Sequence, residues 1–264
     1  MKKKLYLFIS SNRRKLIFKT LAKLARFYVN AFENLNNDHN TNGEFWLMNI
    51  IKSFHIKVVF DVGANVGKWT TEARNLFHEA RIYSFEPIPD VFEQLHSNTK
   101  NLPLVSINNI ALSNVTGELS FNYYPKANLF SSIYDHPGGK DGISLQVISK
   151  CGEKFCNENE IDCIDFLKID TEGSEPLVLE GFKEMLKNKK IRLVQFEYGI
   201  TNIDAKFILK DFFKLFKDNG YNVGKIFPNY IDFSSYNKEN ENFKHQNYIA
   251  VIDSETELIK VLKG

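Results

Sequence analysis

The sequence predicts an α/β fold built on a largely parallel sheet, preceded by a helical extension. Three observations carry that prediction. From about residue 57, short apolar runs alternate with amphipathic stretches of roughly 10–15 residues, the pattern of βαβ units. The first of these runs ends in a glycine-punctuated turn that opens a helix. The first 26 residues carry nine Lys or Arg and no acid, whereas the other 238 hold 25 bases against 32 acids. A mildly acidic domain with a basic extension fits that asymmetry, and a uniformly basic nucleic-acid binder does not.

The extension is assigned to residues 1–52 and the domain to residues 53–264. Lys15, Lys19, Lys23 and Arg26 recur at helical spacing, and Ile17, Leu21, Leu24 and Tyr28 form a broad apolar face. Docking of that face on the domain or on a second copy is the favoured expectation. Peripheral contact with an anionic membrane is the alternative.

Within the domain, residues 57–61 read as a buried strand and residues 68–77 as a helix. Residues 81–85 are the next strand, and Pro87 and Pro89 introduce a helix over 88–98. Strands follow at 104–110 and 118–124. Residues 126–142 are polar and punctuated by Gly and Pro, a long loop of the kind that closes over a ligand. Tyr123, Tyr124, Phe130 and Tyr134 lie in or beside it and could line an acceptor pocket. Order resumes with a strand at 165–170, a helix at 176–187 and a strand at 191–197. A helix over 204–219 with Phe207, Phe212, Phe213 and Phe216 inward follows, then strands at 223–227 and 248–252.

Composition bounds the function. With 264 residues, 43% hydrophobic and 25% charged, the chain suits one large globular domain. Its longest apolar runs fall well short of the roughly 20 residues of a membrane helix. Lys2, Lys3 and Lys4 resemble the start of a secretory signal, but the apolar stretch ends at Ser10 and Arg13, Arg14 and Lys15 follow. Cys151, Cys156 and Cys163 form no C-x-x-C pair, so reduced thiols and a cytoplasmic location are expected, with no zinc site.

Chemistry concentrates at strand ends. Asp61, Gly63, Asn65 and Gly67 make a D-x-G-x-N-x-G turn whose glycines admit close approach of a ligand to backbone. Glu86 ends the next strand, 19 residues after Gly67, where an acid accepts hydrogen bonds from ribose hydroxyls. An adenosine-type cofactor follows from the two together. Residues 166–175 (FLKIDTEGSE) then end the fourth strand with two acids and a glycine.

With residues 61–70 (DVGANVGKWT), 83–87 (YSFEP) and 110–114 (IALSN), that block resembles the FkbM family of S-adenosylmethionine-dependent methyltransferases. The resemblance spans roughly residues 58–220. It implies a seven-stranded Rossmann-like sheet, mostly parallel with helices on both faces, and O-methylation of a hydroxyl on a sugar, glycan or related small molecule. S-adenosylmethionine would bind at the strand ends and leave as S-adenosylhomocysteine. Asp61, Gly63, Asn65 and Gly67 match the family's cofactor loop and Glu86 its ribose acid. Asn109 and Ala111 fall where the adenine edge is expected, and Asp170 and Glu172 match acids facing the reaction centre. One departure is residues 150–155 (KCGEKF), where members often carry a Leu-Asp-Asp-like stretch.

Methyl transfer is an in-line displacement that gains from alignment and from a base on the acceptor hydroxyl. Glu172 is the favoured base, supported by Asp170, with Glu197 and then His136 next; Asp170 could instead hold the cofactor. Glu175 reads as a helix N-terminal acid. Mg²⁺ on Asp170, Glu172 and Glu197 is less favoured because no D-x-D pair is present. The competing functions are a nucleic-acid methyltransferase and a non-catalytic S-adenosylmethionine-binding protein; no nucleic-acid partner is expected.

Overall fold

A computed structural model describes residues 1–126, 131–134 and 141–264. Three helices come first: α1 (Lys2–Ser11), α2 (Leu16–Phe32) and α3 (Glu44–Ile51). The alternation follows as β1 (Val58–Val62), α4 (Lys68–Leu76), β2 (Arg81–Phe85), α5 (Pro89–Thr99) and β3 (Val105–Asn108). Next come β4 (Ala111–Ser113), β5 (Gly117–Tyr123), β6 (Ile143–Cys151) and α6 (Gly152–Glu158). The second half contains β7 (Ile164–Ile169), α7 (Glu175–Glu180), α8 (Lys183–Lys187) and β8 (Ile191–Tyr198). It ends with α9 (Asn202–Ala205), α10 (Leu209–Asp218), β9 (Tyr221–Phe227), β10 (Tyr230–Asp232), β11 (Gln246–Ile252) and α11 (Thr256–Lys263).

The main sheet has eight strands in the order β10-β9-β11-β8-β7-β1-β2-β3. Neighbours from β8 to β3 are parallel, and β11, β9 and β10 are added antiparallel. All of β1 is buried because both sheet faces are covered. Alternate residues serve opposite cores: Val58, Phe60 and Val62 face one cluster and Val59 the other. Phe60 anchors the first cluster, its ring 5.2–6.1 Å from those of Tyr83, Phe85, Phe155 and Phe182.

Several expectations change. The eighth strand is β10, a three-residue edge piece paired with β9. Residues 143–151, to which the sequence reading gives no element, form β6, which pairs with β5 over seven positions and with β4 in a separate three-stranded sheet. Much of β6 is exposed, so its apolar signal is diluted. The helix expected over 176–187 divides at Gly181, where a Cβ would lie 2.1 Å from the Ser113 carbonyl oxygen. The helix expected from 204 starts at Leu209, after Lys206 turns left-handed at φ 53°. Phe130 and His136, and with them much of the expected long loop, lie outside the described residues.

The extension also divides. Leu47, Met48 and Ile51 of α3 are fully buried in the second core cluster, so the exposed part ends at Phe32, earlier than residue 52. Docking of α2 on the domain is not seen: its residues are exposed apart from half-buried Phe18. No helix among the described residues is long and apolar enough to cross a membrane.

Candidate active site

The parallel strands deliver their C-terminal ends to one rim, where β1, β2 and β7 meet a chamber. Gly63 follows β1 at φ 78°, and its hydrogen occupies the place of a Cβ that would lie 1.9 Å from the Asp170 carbonyl oxygen. Asn65 is left-handed at φ 48°, and Gly67, at φ 85°, caps α4. The turn thus needs residues that tolerate positive φ, as its sequence foretells.

Two buried carboxylates hold the rim loops by their backbone. Glu86 accepts the N–H groups of Asn65 and Ile88, each at 3.0 Å. Burial pushes its carboxyl up to about 7 against those bonds. Glu175 does the same after β7, accepting from the Thr171 and Gly173 N–H groups at 2.8 and 2.9 Å, and is likewise pushed up to about 7 by burial. It is therefore more than a helix N-terminal acid. Asn109 lies outside the chamber lining and donates to the carbonyls of Glu86 and Pro87, whereas Ala111 lines the wall.

Asp61 is fully buried beneath the rim rather than in the chamber wall. It accepts from Thr70 Oγ1 at 2.7 Å and pairs with Lys168 Nζ at 3.1 Å. Lys168 also reaches Asp170 at 3.3 Å and the Gly63 carbonyl at 3.3 Å, so one ammonium joins the ends of β1 and β7. Burial pulls Lys168 down, but Asp61 and Asp170 outweigh it and hold the lysine above its ordinary value. A lysine inside an apolar strand, with acids at both neighbouring strand ends, was a legible signal that sequence reading passed over.

The chamber has two kinds of wall. Phe85, Ile88, Ala111, Leu112, Leu119 and Ile133 make an apolar side. Asp170, Glu172, Glu197, His245, His39 and Glu44 make a polar side, and no Lys or Arg lines the chamber among the described residues. Of the expected aromatic lining, Tyr123, Tyr124 and Tyr134 stand outside the wall.

Glu172, Glu197 and His245 converge, with one ligand atom of each within 4.8 Å of the others. Burial first, then Glu197 and Asp170, push the Glu172 carboxyl up to about 10. Glu197 is raised by burial and by Asp170, although His245 Nδ1 lies 3.1 Å from its Oε1 and favours the charged form. That contact in turn holds His245 above its ordinary value. Burial and the neighbouring carboxylates thus favour the protonated form of Glu172. That direction weighs against Glu172 as the base, the role the sequence reading gave it.

Sequence reading missed the acid beside this group. Glu44 accepts from Gln195 and Asn247 at 2.7 and 3.0 Å, and meets Asn42 at 2.6 Å and His39 at 2.8 Å. Burial pushes it up, yet its bonds to His39 and Asn42 outweigh this and keep it below its ordinary value. His39 and Asn42 come from the segment between α2 and α3, Glu44 from the first position of α3, and His245 from the turn into β11. Neither segment carries a local motif.

A parallel sheet with a glycine turn at its rim, buried acids behind it and a two-walled chamber defines an enzyme class that handles a nucleotide-type cofactor. The match to the Methyltransferase FkbM domain over residues 61–223 is more specific, and the chain belongs to that methyltransferase family. It is 26% identical over 210 residues to the hexuronic acid methyltransferase AglP of Haloferax volcanii, covering 76% of this chain and 84% of that protein. It is also 26% identical over 155 residues to the 31-O-demethyl-FK506 methyltransferase FkbM of Streptomyces tacrolimicus, covering 48% of this chain and 60% of that one. Among solved structures it is similar to a methyltransferase FkbM from Methylobacillus flagellatus, at TM-score 0.46 and 14% identity over 74% of this chain and 43% of that chain.

Proposed function

We propose that the protein is an S-adenosylmethionine-dependent O-methyltransferase acting on an uncharged hydroxyl of a sugar, glycan or related small molecule. The juxtaposition of the Gly63 turn with the chamber carries this reading. The residues present fit the cofactor. Gly63 leaves backbone bare where a Cβ would collide, and Glu86 offers a carboxylate in the wall. Ser174 Oγ, in a residue only 7% exposed, lines the chamber with no hydrogen-bond partner among the described residues. Glu86 would hold the ribose, Asp170 the amino group, and the apolar wall around Ala111 and Leu112 the purine. The bound cofactor supplies an electrophilic methyl group on a sulfonium.

The chain's own contribution is alignment and proton management. Glu172, protonated, donates a hydrogen bond that orients the acceptor. The Glu197–His245 pair takes the proton of the acceptor hydroxyl as the oxygen becomes nucleophilic. A wall rich in acids and, among the described residues, without Lys or Arg disfavours an anionic acceptor by like-charge repulsion. A divalent cation on Glu172, Glu197 and His245 is the second reading, supported by their convergence. Calorimetry with S-adenosylmethionine, followed by a methylation screen pairing neutral glycosides with the matching uronides, tests the proposal. Methylated neutral glycosides are expected. Absence of cofactor binding would overturn the class, preference for uronides the acceptor, and full turnover in excess chelator the cation.

A further inference from the structure

α1 and α2 leave a wide apolar surface in water. In α2 the side chains of Ile17, Leu21, Leu24, Tyr28 and Phe32 are 54–68% exposed. At about 100° per residue they share one face, while Lys19, Lys23 and Arg26 fall on the opposite one. In α1, Lys2, Lys3 and Lys4 precede a run from Leu5 to Ile9 whose residues are all exposed, and the Phe8 and Phe18 rings meet edge-to-face at 5.7 Å. Apolar surface of this extent, rimmed by polar groups, marks an interaction site.

The helices are tied to the chamber. Glu33, next after α2, pairs with Lys225 at 2.9 Å, and Asn34 donates to the Ile226 and Asn42 carbonyls at 3.0 and 2.7 Å. The chain then runs directly into Asn37, His39, Asn42 and Glu44 of the chamber wall.

We propose that α1 and α2 form a docking surface for an anionic phospholipid bilayer, placing the 37–44 wall of the chamber beside the membrane. Charge selects this occupant. Nine bases without an acid suit a surface of phosphate headgroups, and the apolar face suits the acyl boundary beneath. Packing the same helices of two copies together would bring two such basic segments side by side. A nucleic acid would answer the charge and leave the apolar face in water. The inference is read from binding alone and stands apart from the methyl-transfer reading.

The experiment is flotation of the full chain with vesicles of phosphatidylcholine alone and of equimolar phosphatidylcholine and phosphatidylglycerol. Flotation with the anionic vesicles only, weakened by salt, is expected. The triple variant Lys19→Glu, Lys23→Glu, Arg26→Glu should partition about a hundredfold less or weaker still. Leu21→Ser, Leu24→Ser and Tyr28→Ser, which leave the charge unchanged, should also release the protein. Thermal unfolding close to that of the parent would show that these exposed positions leave the domain folded. A full chain that stays at the bottom with both vesicles at low salt overturns the proposal. So does a dimer, seen by sedimentation without vesicle binding, that the serine variant dissolves.

Discussion

Replacing Glu172 with Gln exchanges a carboxyl crowded by Glu197 and Asp170 for a neutral group of the same shape. In the folded protein burial and those two acids push the carboxyl up to about 10, from an ordinary value of 4.5. The fold therefore keeps a proton that the unfolded chain releases. The associated stability is complete below about 4.5 and is lost as pH rises towards 10. Neutral pH lies about 2.5 units above the unfolded value, and at about 1.36 kcal/mol per unit the parent forfeits about 3 kcal/mol relative to Glu172→Gln. Glu197 shares the crowding, which makes this figure a ceiling. Urea unfolding of both proteins at pH 5 and pH 8 measures it, and the Gln variant's advantage should widen by up to about 4 kcal/mol between them. Equal gaps at the two pH values, or a Gln variant less stable at pH 8, would refute the buried, protonated carboxyl.

Lys168→Met leaves Asp61 buried without its ammonium and should cost about 3–5 kcal/mol in urea unfolding; a loss below about 1 kcal/mol would deny the joint between β1 and β7. Glu86→Gln should weaken S-adenosylmethionine binding about 10- to 100-fold by calorimetry. The parent's affinity should rise from pH 6 to pH 8 as Glu86, pushed up to about 7, ionises, and the Gln variant should lack that rise. Glu197→Gln should lower turnover about 10²–10⁴-fold with cofactor affinity kept. Because Glu197 holds His245 above 6.5, the acid limb of the pH–rate profile should move to lower pH in this variant, and an unmoved limb would place the proton acceptor elsewhere.

Much of the fold could be read from short windows. The strand-turn-helix at residues 58–76 is legible because a buried parallel strand is continuously apolar and its turn needs Gly63 and Gly67 at positive φ. The 166–175 block, with its acids at a strand end, likewise pointed to the family that the domain match shows. β6 escaped because a strand on a small, one-sided sheet keeps many polar residues, and its neighbours in sequence are polar too. Gly181 looked like a helix residue; the break there answers the approach of Ser113, a contact across 68 positions.

The chemistry of the chamber divides along the same line. Its glycine turn and the acids Glu86, Asp170 and Glu172 announce themselves locally, since strand ends and turns leave residue-type and spacing signatures. The partner of Glu197 does not. His245 reaches it because β11 lies antiparallel to β8 with Asn247 opposite Glu197, a register set by burial over the whole sheet. Lys168 is held charged by Asp61, 107 positions away, and Glu44, kept charged by nearby His39 and Asn42, also accepts from Gln195, 151 positions away. Protonation is more remote still from any short window. The raised carboxyl of Glu172 comes from desolvation and from acids on neighbouring strand ends, and those distances exist only once the strands are ordered side by side.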